Sequence, residues 1–230
     1  MGTRAAVRRS RKDRAELLAK SPRLQRIVEE LEALFFKEGF LHIHTEELAH
    51  RLHCSKQTLY TLAQSRDELF EVILERFLSS IRAQAQKAST EAPDRVTALT
   101  GCLDAIKHAV SRVSVRFAED LNEFPRGQRR RREHEDLMAT MIADIISGGI
   151  QDGSFQAVHP RLTAEILIRG AARIVQPSFL SHSGLSLSQA FVEFHKVYLH
   201  GVLRPEASGP GKDQDGGHNR ARPANVVAFR

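Results

Sequence analysis

Apolar side chains return at three- and four-residue intervals along most of the chain, and that period constrains the fold more than any other feature. Leu24, Ile27, Val28, Leu31, Leu34 and Phe35 make the first stripe. Ser21-Pro22 is placed to cap and open it, and Gly39 to stop it. Thr45 begins a short second helix, in which Glu46 and Glu47 suit the positive end of the dipole and Leu48, Ala49 and Leu52 share a face. Ser55 caps a third, with Thr58, Leu59 and Tyr60. Ser65 and Glu68 form a capping box that opens a long helix with Leu69, Phe70, Ile73, Leu74, Phe77, Leu78 and Ile81. After Pro93 one run is expected from Val96 to Phe117, interrupted at Pro125-Arg126-Gly127. A stripe from Leu137 to Ile146 closes near Gly153. Pro160 opens a further helix stopped by Pro177, and Ser186 with Gln189 caps a last one reaching Val202. Nowhere does the sequence hold a sustained period of two, so the expected class is all-α: a three-helix helix-turn-helix domain followed by a helical domain.

Composition narrows the surroundings. Apolar residues make up 41% of 230, too many for a disordered chain. No apolar stretch reaches the ~18 residues that span a bilayer, so no membrane partner is expected. Two cysteines, Cys54 and Cys102, give no disulfide framework and suit a reducing cytoplasm. The positive charge is concentrated at one end. Residues 1–23 carry eight basic side chains against Asp13 and Glu16, a net +6 that equals the charge of the whole chain. A basic arm of that kind suits a polyanion, nucleic acid first; the alternative is a solubilising leader. The expected divisions are a flexible arm at 1–21, a DNA-binding unit at 22–70, a helical sensing and dimerising unit at 71–204, and a Gly-, Pro- and Asp-rich disordered tail at 205–230.

Two short helices joined by a tight turn and flanked by apolar helices are the elements of a helix-turn-helix. Leu48, Ala49, Leu52 and Leu59 can form its inside, and Lys56, Gln57, Thr58 and Tyr60 can face phosphates and base edges. The stretch from Thr45 through Leu48-Ala49, Ser55-Lys56 and Thr58-Leu59-Tyr60 to Ser65-Arg66-Asp67-Glu68-Leu69-Phe70 resembles the DNA-binding module of TetR-type (tetracycline-repressor-like) regulators. Gly149-Ile150 followed by Gly153-Ser154-Phe155 and Pro160 is similar to that family's junction before its last helices.

The resemblance implies roles. Thr45, Ser55, Lys56, Gln57, Thr58, Tyr60 and Arg66 would form the DNA-binding set. Thr45 would donate to a phosphate, Lys56 and Gln57 would reach bases or phosphates, and Thr58 would touch a thymine methyl or a phosphate. Tyr60 would donate to the DNA backbone and Arg66 would clamp a phosphate. It also implies a homodimer through the last two helices, about 160–178 and 186–204, with Ile166, Phe191 and Phe194 on the shared face. Such a dimer would act as a repressor released from a pseudo-palindromic double-stranded DNA operator by a small-molecule effector. The sequence departs from the family at His53-Cys54, where Gly-Val is usual, and at Leu62-Ala63, where His-Phe is usual. Leu62 removes one phosphate contact, and His53 stands where a left-handed backbone residue is expected.

Other signals point less sharply. His42, His44, His50, His53 and Cys54 lie within thirteen positions but match no established zinc spacing, and no metal or cofactor is expected. Arg129 to Arg132 read as a solvated helix start more readily than as a second nucleic-acid contact. Met138 and Met141 with Cys102, Phe117 and Ile145 could line a pocket or be ordinary core. Arg112, Arg116, Arg169 and Arg173 sit on apolar helices, where one could meet an anionic ligand. No Walker loop, nucleophile elbow or HExxH motif is present, and no catalytic role is expected. Residues 24–82 hold seven basic against ten acidic side chains, which keeps open a helical dimer that works through protein partners or coats DNA architecturally.

Overall fold

The computed structural model describes residues 21–202, and among them lie ten helices and no strand. The basic arm and the tail expected at 205–230 lie outside the described residues, apart from Ser21. Helix α1, Pro22–Glu38, opens as its sequence dictates: Leu24 N–H donates to Ser21 Oγ at 3.4 Å, with Pro22 in the first turn. Its inner face buries Leu24, Ile27, Val28, Leu31, Phe35 and Phe36. Gly39 ends it at φ +81°. A Cβ there would stand 2.5 Å from Asp120 Oδ2, so conformation and space both require glycine.

Helices α2 (Thr45–Arg51), α3 (Lys56–Leu62) and α4 (Arg66–Glu91) follow. Ser55 caps α3 by accepting from Thr58 N–H, and Ser65 caps α4 by accepting from Glu68 N–H, both at 3.1 Å. α4 runs unbroken through position 70, so one rigid rod belongs to both halves of the chain.

The run expected from Val96 to Phe117 is two helices, α5 (Arg95–Val110) and α6 (Val115–Glu123). The apolar period continues across the break through Val110, Val113 and Phe117, which hides it from a periodicity argument. Two serines make it. Ser111 N–H closes α5 on Lys107 O, and Ser114 Oγ caps α6 by accepting from Phe117 N–H at 3.1 Å. Ser114 N–H also donates to Phe36 O at 2.7 Å, which ties the start of α6 to the end of α1.

Pro125 does not interrupt a helix; it occupies the first turn of α7, Pro125–Gln151. α8, Pro160–Ile174, ends earlier than the expected 178, because Gln176 before Pro177 is driven to extended geometry. Pro177 then starts a short α9, Pro177–Ser183, that the sequence reading did not foresee. The Ser186–Gln189 capping box is present at the start of α10, Leu187–Val202: Ser186 N–H donates to Gln189 Oε1 at 2.9 Å and Gln189 N–H to Ser186 Oγ at 3.3 Å.

Two large cores result. The first joins α1–α4 to α6 around seven of the chain's 12 phenylalanines: Phe35, Phe36, Phe40, Phe70, Phe77, Phe117 and Phe124. Phe36 meets Phe77 and Phe117 edge-on at 4.8 and 5.3 Å, and Phe124 meets Phe40 edge-on at 5.7 Å. The second packs α5, α7 and α8 around Leu99, Leu103, Met138, Ile142 and Leu167. A smaller third cluster joins α8 and α10 through Ala171, Ile174, Ala190 and Phe191.

Candidate nucleic-acid interface and interior cavity

The turn between α2 and α3 is tight. His53 N–H donates to His50 O at 3.2 Å and Cys54 N–H to Ala49 O at 2.9 Å. His53 takes φ +45°, so the left-handed residue that such a turn needs is present although glycine is not. Leu48, Ala49, Leu52 and Leu59 are buried, as their spacing predicts. Leu62 and Ala63 are buried as well. Leu62 therefore joins the core where a polar side chain would face outward, and Ala63 shares that core with Phe70, which packs face to face with Phe40.

Ser55 at the cap of α3 and Lys56, Gln57 and Tyr60 on it are exposed, Tyr60 at 46%, while Thr58, Thr45 and Arg66 are half-buried. Several of these groups already have partners. Lys56 Nζ is paired with Glu46 across the two helices and holds that carboxyl below the usual range. The hydroxyls of Ser55 and Thr58 bond each other at 2.9 Å. Arg66 Nη1 donates to Leu41 O at 2.7 Å, and its other arm lies 3.6 Å from Asp67. Arg51 is clamped between Glu38 and Glu47 at 2.6 Å each. The side chains of Thr45, Gln57 and Tyr60 have no partner among the described residues, and Gln57 and Tyr60 stand one turn apart on α3. Arg23 and Arg26, exposed near the start of α1, form no ion pair among the described residues. Nor do the histidines of this region gather into a group of three or more metal-ligating side chains among the described residues.

Sequence reasoning missed the group that fastens this unit to the rest. Asp120 on α6 is fully buried and accepts on Oδ2 from Phe40 N–H at 2.6 Å and Leu41 N–H at 2.9 Å. Arg116 Nε lies 3.0 Å from its other oxygen. The carboxylate thereby satisfies two backbone donors of the α1–α2 loop that would otherwise be buried without acceptors. The one signal in the sequence was an acid one turn after an arginine on a helix whose other face carries Phe117 and Leu121.

Beneath α6 lies a partly open cavity of about 290 Å³ lined by residues of α4 to α10. Its wall is mostly apolar: Phe77, Ile81, Ile106, Val110, Phe117, Met138, Ile168 and Leu180 among others. Of the pocket residues expected from sequence, Phe117 and Met138 line it, whereas Cys102, Met141 and Ile145 belong to the second core. Burial pushes the Cys102 thiol up to about 11. Arg131 is also in the wall, so one member of the 129–132 run is half-buried there; it bonds Asn122 Oδ1 at 3.1 Å. Beside it Glu135 is raised above its usual range by burial, against the pull of Arg131 and Arg169. Arg169 is therefore held by Glu135 and Asp136, Arg116 by Asp120, and Arg112 by Glu32 at 3.3 Å. Arg173 lies over Phe179.

His134, also in the wall, is buried. Its Nδ1 lies 3.2 Å from Arg82 Nη1. A guanidinium only donates, so Nδ1 accepts and the ring proton sits on Nε2. Burial, together with the Arg82 charge, lowers this histidine to about 4.

On the outer surface, Leu162 and Ile166 of α8 are 58% and 61% exposed, one turn apart, and Val197 of α10 is 75% exposed. Phe191, expected on a shared face, is instead wholly buried in the chain's own third cluster, and Phe194 is half-buried. No helix among the described residues is long and apolar enough to cross a membrane.

No protein-family model matches the chain, and no curated protein matches it. Solved structures do. A structure from Saccharomonospora viridis in complex with choline superposes with a TM-score of 0.67 at 15% identity, covering 79% of this chain and 98% of that one. A TetR transcriptional regulator from Chloroflexus aurantiacus gives 0.63 at 16% identity over 84% and 98%. The TetR family transcriptional regulator PfmR from Thermus thermophilus gives 0.59 at 22% over 78% and 100%. The chain has the fold of TetR-type regulators.

Proposed function

We propose that the chain is a sequence-specific DNA-binding regulator, a repressor that leaves a pseudo-palindromic operator when a small molecule fills its cavity. The observation that carries this reading is the outward face of α3, where Gln57 and Tyr60 stand unpartnered on a well-formed two-helix unit of a TetR-type fold. Residues 22–70 read DNA and 71–204 sense and dimerise. Thr45, Gln57 and Tyr60 supply donors to DNA directly. Ser55, Lys56, Thr58 and Arg66 contribute after exchanging their present partners for phosphates. Two copies join through α8 and α10, where the exposed Leu162, Ile166 and Val197 supply apolar surface. A two-fold pair sets two α3 helices against two half-sites. The choline-bound structure supports a small molecule as effector. Ligand in the cavity favours a conformation that binds DNA poorly, and Asp120 and the phenylalanine cluster carry the change from α6 to the α1–α2 loop.

Selection of binding sites from random duplex DNA by the purified chain tests this reading. Enrichment of a pseudo-palindrome is the expected result. A soluble dimer that enriches no motif would instead favour action through protein partners, a reading that the internal pairing of Lys56, Arg51 and Arg66 already supports.

A further inference from the structure

The cavity's polar groups differ in what they leave available, and that difference defines a ligand. Glu135 is engaged by Arg169 and lies 3.6 Å from Arg131 Nε. Gln176 accepts from Asn122 Nδ2 at 2.7 Å and donates to Ala172 O at 3.3 Å. Ser114 Oγ accepts the cap bond of α6. Two groups differ: Arg131 Nε–H is buried with no hydrogen-bond partner among the described residues but stands in the field of Glu135 at 3.6 Å, whereas His134 offers a donor that carries no charge. Its Nδ1 is held by Arg82, itself bonded to Glu75 at 3.1 Å and Ser79 at 2.8 Å, so the ring's orientation and tautomer are fixed. Its Nε2–H has no partner among the described residues, on a ring that lines the cavity.

We infer that the cavity takes an uncharged, predominantly apolar molecule of about two fused rings that presents one hydrogen-bond acceptor, a carbonyl or ether oxygen, to His134 Nε2–H. This rests on the reading of the cavity as the sensing site. The size follows from comparison: an apolar cavity of about 150 Å³ holds one benzene, and this one measures about 290 Å³. The absence of charge follows from the wall, where the one cation, Arg131, already faces the one carboxylate, Glu135. An anionic ligand would meet Glu135, and a cationic one would find no unpaired carboxylate. A neutral acceptor turns the unpartnered donor into a hydrogen bond and leaves the Arg–Glu pair intact.

An isosteric series tests it by calorimetry on the full chain without DNA: 2-acetylnaphthalene, 2-ethylnaphthalene and 2-naphthoate. The acetyl compound is expected to bind about tenfold tighter than either of the others. In His134→Phe, which cannot donate, the preference of acetyl over ethyl should vanish while ethyl affinity persists. His134→Gln keeps an N–H donor and should retain part of the preference, which serves if the phenylalanine variant does not fold. Ile168→Trp, checked for helix content by circular dichroism, should fill the space and abolish binding of all three. Tightest binding by 2-naphthoate, equal binding of acetyl and ethyl compounds, or no binding at all would each overturn the inference. Because DNA takes no part, its failure is separable from failure of the regulator reading. A chain that enriches an operator but rejects 2-acetylnaphthalene loses only the ligand class, and one with the reverse behaviour loses only the regulator.

Discussion

Helix α6 has two unlike neighbours, and the contrast between them shows how this chain divides its work. On one side Phe117 and Phe124 enter a junction filled by five other phenylalanines, with Asp120 bonded to the adjoining loop. On the other, Val115 and Ala118 border a cavity of about 290 Å³, and Phe117 and Leu121 stand between the two. One side is filled and hydrogen-bonded, so it transmits displacement. The other is apolar and carries the ring of His134, and it is the side on which the proposed ligand would sit. Interiors are close-packed and rearrange in discrete steps, so under the proposed function a ligand on that side would press α6 against the filled junction.

The largest effect that could break this contrast comes from truncating a side chain on each side. Phe70, in the filled junction, and Met138, in the cavity wall, are both 1% exposed. Phe70→Ala should cost about 3–5 kcal/mol, and Met138→Ala about 2 kcal/mol, because the methionine already lacks neighbours on its cavity side. Urea denaturation of the two variants measures the difference. Equal losses would mean that the cavity closes up in solution.

Asp120 comes next. Asp120→Ala leaves two buried N–H groups without acceptors and should destabilise by about 3 kcal/mol. Asp120→Asn keeps one acceptor oxygen and should cost less. The informative readout is coupling: in the Asn variant, effector and operator should compete less than in the parent protein. Unchanged competition would place the transmission elsewhere in the phenylalanine cluster.

The helices, their caps and the inner face of the two-helix unit were legible in the sequence, because spacing and local capping chemistry act within a few residues. Ser21, Ser55 and Ser65 do locally what their positions predict. What was hidden depends on groups far apart in the chain. The break at 111–114 is fixed by the bond from Ser114 to Phe36, and the role of Asp120 by backbone donors some 80 residues away. The resemblance implies an outward Phe191, but a helical stripe does not say which of two apolar neighbours it faces, and here Phe191 faces the chain's own core. Gln57 and Tyr60 were readable as an exposed pair, whereas the pairing of Lys56 with Glu46 was not.

His134 sharpens the contrast through pH. Its folded value of about 4 lies below the ordinary 6.5, so the unfolded chain takes up its proton first as pH falls. Stability is then complete above about pH 6.5 and is lost as pH drops towards 4, by at most about 3 kcal/mol. Glu135, raised by burial, works in the opposite direction, so the difference between the parent and His134→Phe isolates the histidine. Urea midpoints for the parent should fall faster than those of the variant between pH 6.5 and 4. Parallel curves would mean that water reaches the ring and that its burial in the cavity wall does not govern its proton.

The smallest expected effects lie on α3, where engaged and unengaged side chains can be compared directly. Gln57→Ala removes a donor–acceptor pair that can read one base, so it should change which base is preferred at one position, by about 1–3 kcal/mol. Tyr60→Phe removes only a hydroxyl that reaches the DNA backbone and should weaken all sites alike. Lys56→Ala removes a cation already neutralised by Glu46, so its effect should be smaller than that of Gln57→Ala. A panel of operator variants measured at one salt concentration separates these outcomes. If Lys56→Ala instead costs more than Gln57→Ala, the pair opens on DNA and the lysine exchanges Glu46 for a phosphate, placing electrostatic attraction on α3 as well as on the basic arm.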